Sequence, residues 1–241
     1  MDFKGIELTT EINNYLIGQN FDTDFQFDFS KQSQIIEKVD LLKSLFNNKS
    51  VLHIGFADHQ PIIDEKIKNK TWVHDIINDV SSELYGIDIN EEAIIHLKKN
   101  YKTQNIFHLD ILQDDLPPEL IDEHFDYIFL GETLEHLNNP VAFLKEIVFK
   151  TTQVCKNIVV TVPNVFADII TTSAKEGKER INTDHRYWFT PYTACKVLTE
   201  SGILPKQIFL CNSYFPLDRK SAKKAIKNPL LNHTIVVIGS W

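Results

Sequence analysis

Hydrophobic residues along the chain follow two alternating rhythms. Short runs rich in Val, Ile, Leu, Phe and Tyr occur at residues 50–54, 83–88, 105–108, 125–130, 157–162, 205–211 and 233–239, and read as strands. Between them lie stretches of helical period. The clearest covers residues 91–100, with Glu91 and Glu92 in its first turn and Lys98 and Lys99 in its last, as the helix dipole favours. Another covers 140–150, where Asn139 caps and Pro140 suits the first helical position, and a third starts at Thr190-Pro191. Strand and helix in turn predict an α/β fold: a doubly wound, mostly parallel seven-stranded sheet with helices on both faces. In such sheets ligands lie beyond the carboxyl ends of the strands, so functional residues are expected just after each strand.

Residues 1–47 precede this pattern. They carry Phe21, Phe25, Phe27 and Phe29 at near-alternate positions and then a helical period over 33–46. This segment is expected to form a helical cover on one sheet face, or a lid over the site, with residues 48–241 as the main domain.

Composition narrows the function. The 241 residues carry 25 basic and 33 acidic side chains, a net charge of −8, and no Lys/Arg cluster dense enough to follow a phosphate backbone, so long nucleic acid is a poor partner and a small molecule a better one. The basic run 219–227 reads as a solvated helix face. Cys155, Cys195 and Cys211 lack CxxC spacing and are odd in number, which argues against disulfides and structural zinc and for a reducing, cytoplasmic compartment. The opening residues lack the basic start and apolar block of a secretory signal, and no run approaches a membrane span.

Three strand ends hold candidate binding chemistry. The run 50–54 leads into Gly55-Phe56-Ala57-Asp58-His59, where a glycine lets backbone approach a ligand. Asp88 ends the next strand, where a carboxylate can accept hydrogen bonds from both hydroxyls of a ribose, and Asp110 ends the third, placed for an adenine amino group. After the fourth strand comes Gly131-Glu132-Thr133-Leu134-Glu135-His136. If Gly131 leads into a helical turn, Glu132 and Glu135 share one face with His136 beside them, a set of oxygen and nitrogen ligands suited to Mg²⁺ or Mn²⁺. Further on, His185 precedes Tyr187, Trp188 and Phe189, aromatics able to stack on a sugar or planar acceptor.

The ordered set of Gly55, Asp88, Asp110 and Asp126 resembles the class I S-adenosylmethionine (SAM) dependent methyltransferases over residues 48–241. That resemblance implies the Rossmann-like methyltransferase fold and SAM as cofactor. It sets Gly55 against the methionine part, Asp88 on the ribose, and Asp110 with Ile111 at the adenine, with Ala57, His59, Ile89 and Gly131 completing the cofactor set. His53 stands where the family usually has an acid, and Ala57 and His59 where it has further glycines; Asp58 or His59 then faces the cofactor's charged groups.

The pattern Glu-x-x-Glu-His, Pro163-Asn164 and Asp184-His185 is similar to ubiquinone-pathway O-methyltransferases and to enzymes that methylate the terminal 2′-hydroxyl of small RNAs. By the second likeness Glu132, Glu135, His136 and His185 hold Mg²⁺, with His185, His136 and Glu132 as catalytic groups. The turn at 55–59 and the compact length are similar to bacterial surface-polysaccharide methyltransferases, which implies O-methylation of a sugar or nucleotide-linked sugar. The alternatives are Mg²⁺-dependent methylation of an RNA 3′-terminal ribose or of a quinol precursor, and a non-catalytic nucleotide- or partner-binding protein on the same fold. An NAD-dependent dehydrogenase lacks its fuller glycine motif here.

Overall fold

The computed structural model describes residues 3–213 and 217–241, so the first two positions of the amino-terminal segment lie outside it. The strands are β1 (Ile6–Glu7), β2 (Ser50–Ile54), β3 (Glu83–Asp88), β4 (Ile106–His108), β5 (Tyr127–Gly131), β6 (Asn157–Pro163), β7 (Leu204–Cys211) and β8 (Thr234–Ser240). The helices are α1 (Thr10–Leu16), α2 (Lys38–Phe46), α3 (Gln60–Lys68), α4 (Val73–Asn78), α5 (Glu91–Asn100), α6 (Pro118–Ile121), α7 (Pro140–Thr151), α8 (Asp168–Lys175), α9 (Pro191–Glu200) and α10 (Arg219–Lys227).

They form one sheet in the order β1-β7-β8-β6-β5-β2-β3-β4. The block β4-β3-β2-β5-β6 is parallel, whereas β8 inserts antiparallel between β6 and β7. The seven expected strands all form, and β1 adds a short eighth on the β7 edge. The order reverses at β2, whose neighbours are β3 and β5, and that reversal opens a crevice beyond the carboxyl ends of β2 and β5.

Local sequence explains the helices that flank this crevice. Asn90 caps α5 by accepting the Ala93 N–H at 3.0 Å, and Asn139 caps α7 by accepting the Ala142 N–H at 3.0 Å. Thr190 and Thr193 cap α9 reciprocally, with Pro191 at its first turn. Alternate residues of each strand divide between two faces. Leu52, Ile54, Ile128, Leu130, Val160 and Ile235 pack under α7 and α9, while Val51, Phe129, Val159, Phe209 and Val236 pack under α2 and α4.

The amino-terminal segment touches both faces. Leu16 and Phe29 are buried with the first cluster, and Leu41, Leu42 and Phe46 of α2 with the second. It crosses at the β7 edge. The Gln32 side chain brackets Leu210, donating to its carbonyl at 2.7 Å and accepting its N–H at 2.9 Å. Asn212 then donates its N–H to Ile36 and accepts that of Lys38. A helix over all of 33–46 is therefore corrected: it starts at Lys38, because residues 32–37 are held along the sheet edge. Such a strap covers backbone groups that an open edge would expose to pairing. Among the described residues no helix is long and apolar enough to cross a membrane.

Candidate active site

The carboxyl end of β2 turns sharply at Gly55, whose φ of +71° lies in the left-handed region. A Cβ there would stand 2.9 Å from the Thr133 side chain, so glycine is required both by conformation and by space. Asp88, buried at the end of β3, ties this turn down: its carboxylate accepts the Ala57 N–H at 2.8 Å and the Asn90 N–H at 2.9 Å. Burial raises its pKa above the ordinary value, against the pull of those N–H donors. Next to it Ile89 is 69% exposed, an apolar surface beside a buried acid at the mouth of the crevice.

The third strand end is organised differently. The Asp110 carboxylate accepts the Leu112 N–H and the Gln113 side-chain amide within its own turn. Ile111 is buried in the core, and Leu112 is the exposed apolar neighbour. Asp126 lies at the opposite end of the strands, at the amino end of β5, where it accepts the Ser50 N–H at 3.0 Å and pairs with Lys49. It joins β2 to β5 and stays away from the crevice.

At the end of β5 the structure departs from the expected helical turn. Glu132 has φ +54°, an unusual conformation for a non-glycine residue, and a single 3₁₀ turn follows over Leu134–His136. Glu132 and Glu135 therefore do not share a helix face. The Glu132 carboxylate turns to Lys38 of α2, at 3.2 Å, and to the Thr161 hydroxyl, at 3.0 Å. Glu135 points inward instead. It is fully buried, and both of its carboxylate oxygens are without a hydrogen-bond partner. Burial, with the Glu132 charge nearby, pushes its pKa up to about 9.

The segment before α9 closes against this turn. Arg186 donates its N–H to the Glu135 carbonyl at 2.8 Å and its guanidinium to the His136 carbonyl, while the Tyr187 hydroxyl donates to the Asn138 carbonyl at 2.9 Å. These bonds set the His185 ring edge-on to that of His136, with centroids 4.8 Å apart. His185 Nδ1 is buried without a partner, and burial together with His136 lowers the pKa of His185. Asp184 approaches His59 at 3.8 Å, linking this segment to the Gly55 turn.

Glu135, His136 and His185 each bring one ligand atom within 4.8 Å of the others. A buried carboxylate without donors beside two imidazoles fits a divalent cation, whose positive charge answers the cost of a buried negative one. Glu132, also expected among the ligands, stands outside this trio on its bonds to Lys38 and Thr161.

Two features escaped the sequence. One is Lys38, brought into the site by the strap from far along the chain. The other is a buried pair of histidines beneath the Gly55 turn: His53 and His74 approach Nδ1 to Nδ1 at 3.2 Å, enclosed by Phe56, Trp72 and Phe129.

Residues 71–149, running from the turn before α4 to α7, match a family model described as a methyltransferase domain. No curated protein sequence matches the chain significantly. Among solved structures, the methyltransferase bound to the Trm112 activator of Haloferax volcanii superposes with a TM-score of 0.51 at 14% identity, over 83% of this chain and 87% of that one. The small RNA methyltransferase HEN1 gives 0.50 at 16% identity, over 92% of this chain but 26% of that one. The methyltransferase domain of bacterial CtHen1 gives 0.50 at 16% identity, over 84% and 93%. The fold is the Rossmann-like fold of these methyltransferases. The matched domain model agrees with that fold.

Proposed function

We propose that the protein transfers a methyl group from SAM to a hydroxyl of a small acceptor, a sugar or nucleotide-linked sugar, in the cytoplasm, with Glu135, His136 and His185 as the reacting end of the site. The observation that carries this reading is the buried Glu135 carboxylate, unpartnered on both oxygens, facing two imidazoles beyond the end of β5.

In this reading Gly55, Ala57 and Asp88 form the wall on which the cofactor lies, with Asp88 taking the ribose hydroxyls and Ile89 offering an apolar surface to the adenine. SAM supplies an electrophilic methyl group on its sulfonium centre. Glu135, His136 and His185 would hold Mg²⁺, which when bound lowers the pKa of an acceptor hydroxyl. The chain's own part is to orient that hydroxyl and take up its proton. Where no cation is bound, His185 suits this task, because burial lowers its pKa and leaves the imidazole neutral. Glu132 and Lys38 hold the turn that carries Glu135.

The likeness to HEN1 favours a second acceptor, the terminal ribose of a short RNA, which offers the neighbouring hydroxyls that a cation can bind. Incubation with methyl-labelled SAM and a panel of nucleotide sugars, quinol precursors and short RNAs separates the two. Label on the nucleotide sugars, abolished by EDTA and restored by magnesium, is expected; label on RNA alone moves the assignment to ribose. No S-adenosylhomocysteine binding at millimolar concentration would overturn the enzyme reading.

A further inference from the structure

On the far side of the β5 end lies a cavity of about 450 Å³ between α8 and α10, within the size range of small-ligand sites. Its floor is built from the ends of β7 and β8. There Asn212, His233 and Asn232 lie together, with the Asn212 side-chain oxygen 2.8 Å from His233 Nδ1. Glu37 grips Asn212 through both carboxylate oxygens, at 2.8 and 3.0 Å, and its chain neighbour Lys38 pairs with Glu132. The cavity floor and the reacting turn are thus two ends of one hydrogen-bonded line.

The walls say what the cavity takes. Asn232 is 2% exposed, and its side-chain oxygen has no donor, so the wall lacks a hydroxyl or N–H to fill it. Lys224 is paired with Asp168 across the cavity, whereas Arg180 lines it with no ion pair among the described residues. A guanidinium in this setting matches the paired oxygens of a phosphate. The lining otherwise sets hydroxyls such as Thr172 and Ser221, and the Glu176 carboxylate paired with Lys178, beside the apolar Ile169, Leu217, Ala225 and Leu231. That is the chemistry of a hydroxyl-bearing, phosphorylated ligand.

Strand spacing sets the reach. Gly131 pairs with Thr161, and Pro163 pairs with Thr234, so β8 lies two strand spacings from β5. At about 4.8 Å each, the floor stands roughly 10 Å from the reacting turn. A single sugar ring cannot span this distance, whereas a sugar carrying a diphosphate can.

We infer that this cavity is the anchoring subsite for the acceptor's phosphate, with Arg180 as the residue that selects phosphorylated sugars over free ones. The inference rests on the methyltransferase reading above. Its test is calorimetry on the full chain with S-adenosylhomocysteine present, using UDP-glucose, glucose 1-phosphate and methyl glucoside as probes. UDP-glucose and glucose 1-phosphate are expected to bind and methyl glucoside to be far weaker. Arg180→Ala should weaken the first two by about tenfold or more, as expected for a charge-assisted hydrogen bond, and leave S-adenosylhomocysteine affinity unchanged. Thr172→Trp, an exposed position on α8 that lines the cavity, should block the same probes.

Equal affinity for all three probes would overturn the inference. So would intact S-adenosylhomocysteine binding with no binding of any probe, or probe affinities that neither substitution changes. Phosphate-dependent binding lost in Arg180→Ala, in a protein that does not bind S-adenosylhomocysteine, would keep the subsite and remove the methyl transfer.

Discussion

Replacing His74 with Phe tests whether the buried histidine pair makes the fold sensitive to acid. His74 is 3% exposed, and burial lowers its pKa from 6.5 to about 3; His53, also buried, is held well below its ordinary value. The folded protein therefore keeps His74 neutral at pH values where the unfolded chain protonates it. Between about pH 3 and 6.5 the unfolded state binds more protons, so stability falls as pH drops through that window. For His74 alone the loss between pH 7 and pH 5 is about 2 kcal/mol, from an unfolded value near 6.5 and 1.36 kcal/mol per pH unit. In His74→Phe this component disappears, while the carboxylates that titrate in the same range remain and cancel in the comparison. The substitution also removes the partner of His53 Nδ1, a roughly constant penalty of about 1–3 kcal/mol. Urea denaturation of both proteins at half-unit steps from pH 5 to pH 8 measures the difference. The two curves should converge by about 2 kcal/mol on acidification; curves that stay parallel within about 0.5 kcal/mol would show that His74 is not held neutral and refute the argument.

Three other outcomes are expected. Gly55→Ala places a side chain at φ +71° and against Thr133, which should cost about 1–2 kcal/mol and weaken S-adenosylhomocysteine binding, read by thermal denaturation and calorimetry. Glu135→Gln should leave the fold at least as stable, since it replaces an unpartnered buried carboxyl by a neutral group of the same shape. It should also reduce methyl transfer on the order of a hundredfold and abolish any response to magnesium, measured by labelled transfer. Lys38→Met and Glu132→Gln, singly and together, should show a coupling of about 1–3 kcal/mol in a double-mutant cycle, because the pair is largely shielded from water; additive losses would make the contact incidental.

The order of strands and helices could be read from the chain because each parallel strand is buried on both faces and appears as a short apolar run. The helix at 91–100 was legible to its ends, since Asn90, the paired glutamates and the paired lysines mark both termini in the sequence itself. The strap at 32–37 was not, because its bonds are made by Gln32 and by backbone atoms with residues near 210, and no local pattern encodes a partner so distant. Glu132 misled for a related reason. Three-residue spacing suggests a shared helix face, but the Thr161 hydroxyl and the Lys38 ammonium draw its side chain the other way, and its backbone adopts the left-handed region to allow it. The aspartates divided by position: Asp88 ends its strand at the crevice, whereas Asp126 begins one at the other end of the sheet, and nothing about the residue type distinguishes them.

The strap along β7 has a consequence for the order in which the molecule assembles. Gln32 and Leu210 are separated by 178 positions, and β7 reaches the rest of the sheet only through β8, which follows it in the chain. At roughly 5–20 residues per second a ribosome needs on the order of ten to forty seconds to bridge that interval, during which residues 32–37 have no β7 edge to lie on. High contact order of this kind slows folding and exposes apolar surface meanwhile. The bonds of Gln32, Ile36 and Lys38 thus wait for Leu210 and Asn212. Lys38 follows this strap directly and pairs with Glu132, so the reacting turn draws on segments that lie far apart in the chain.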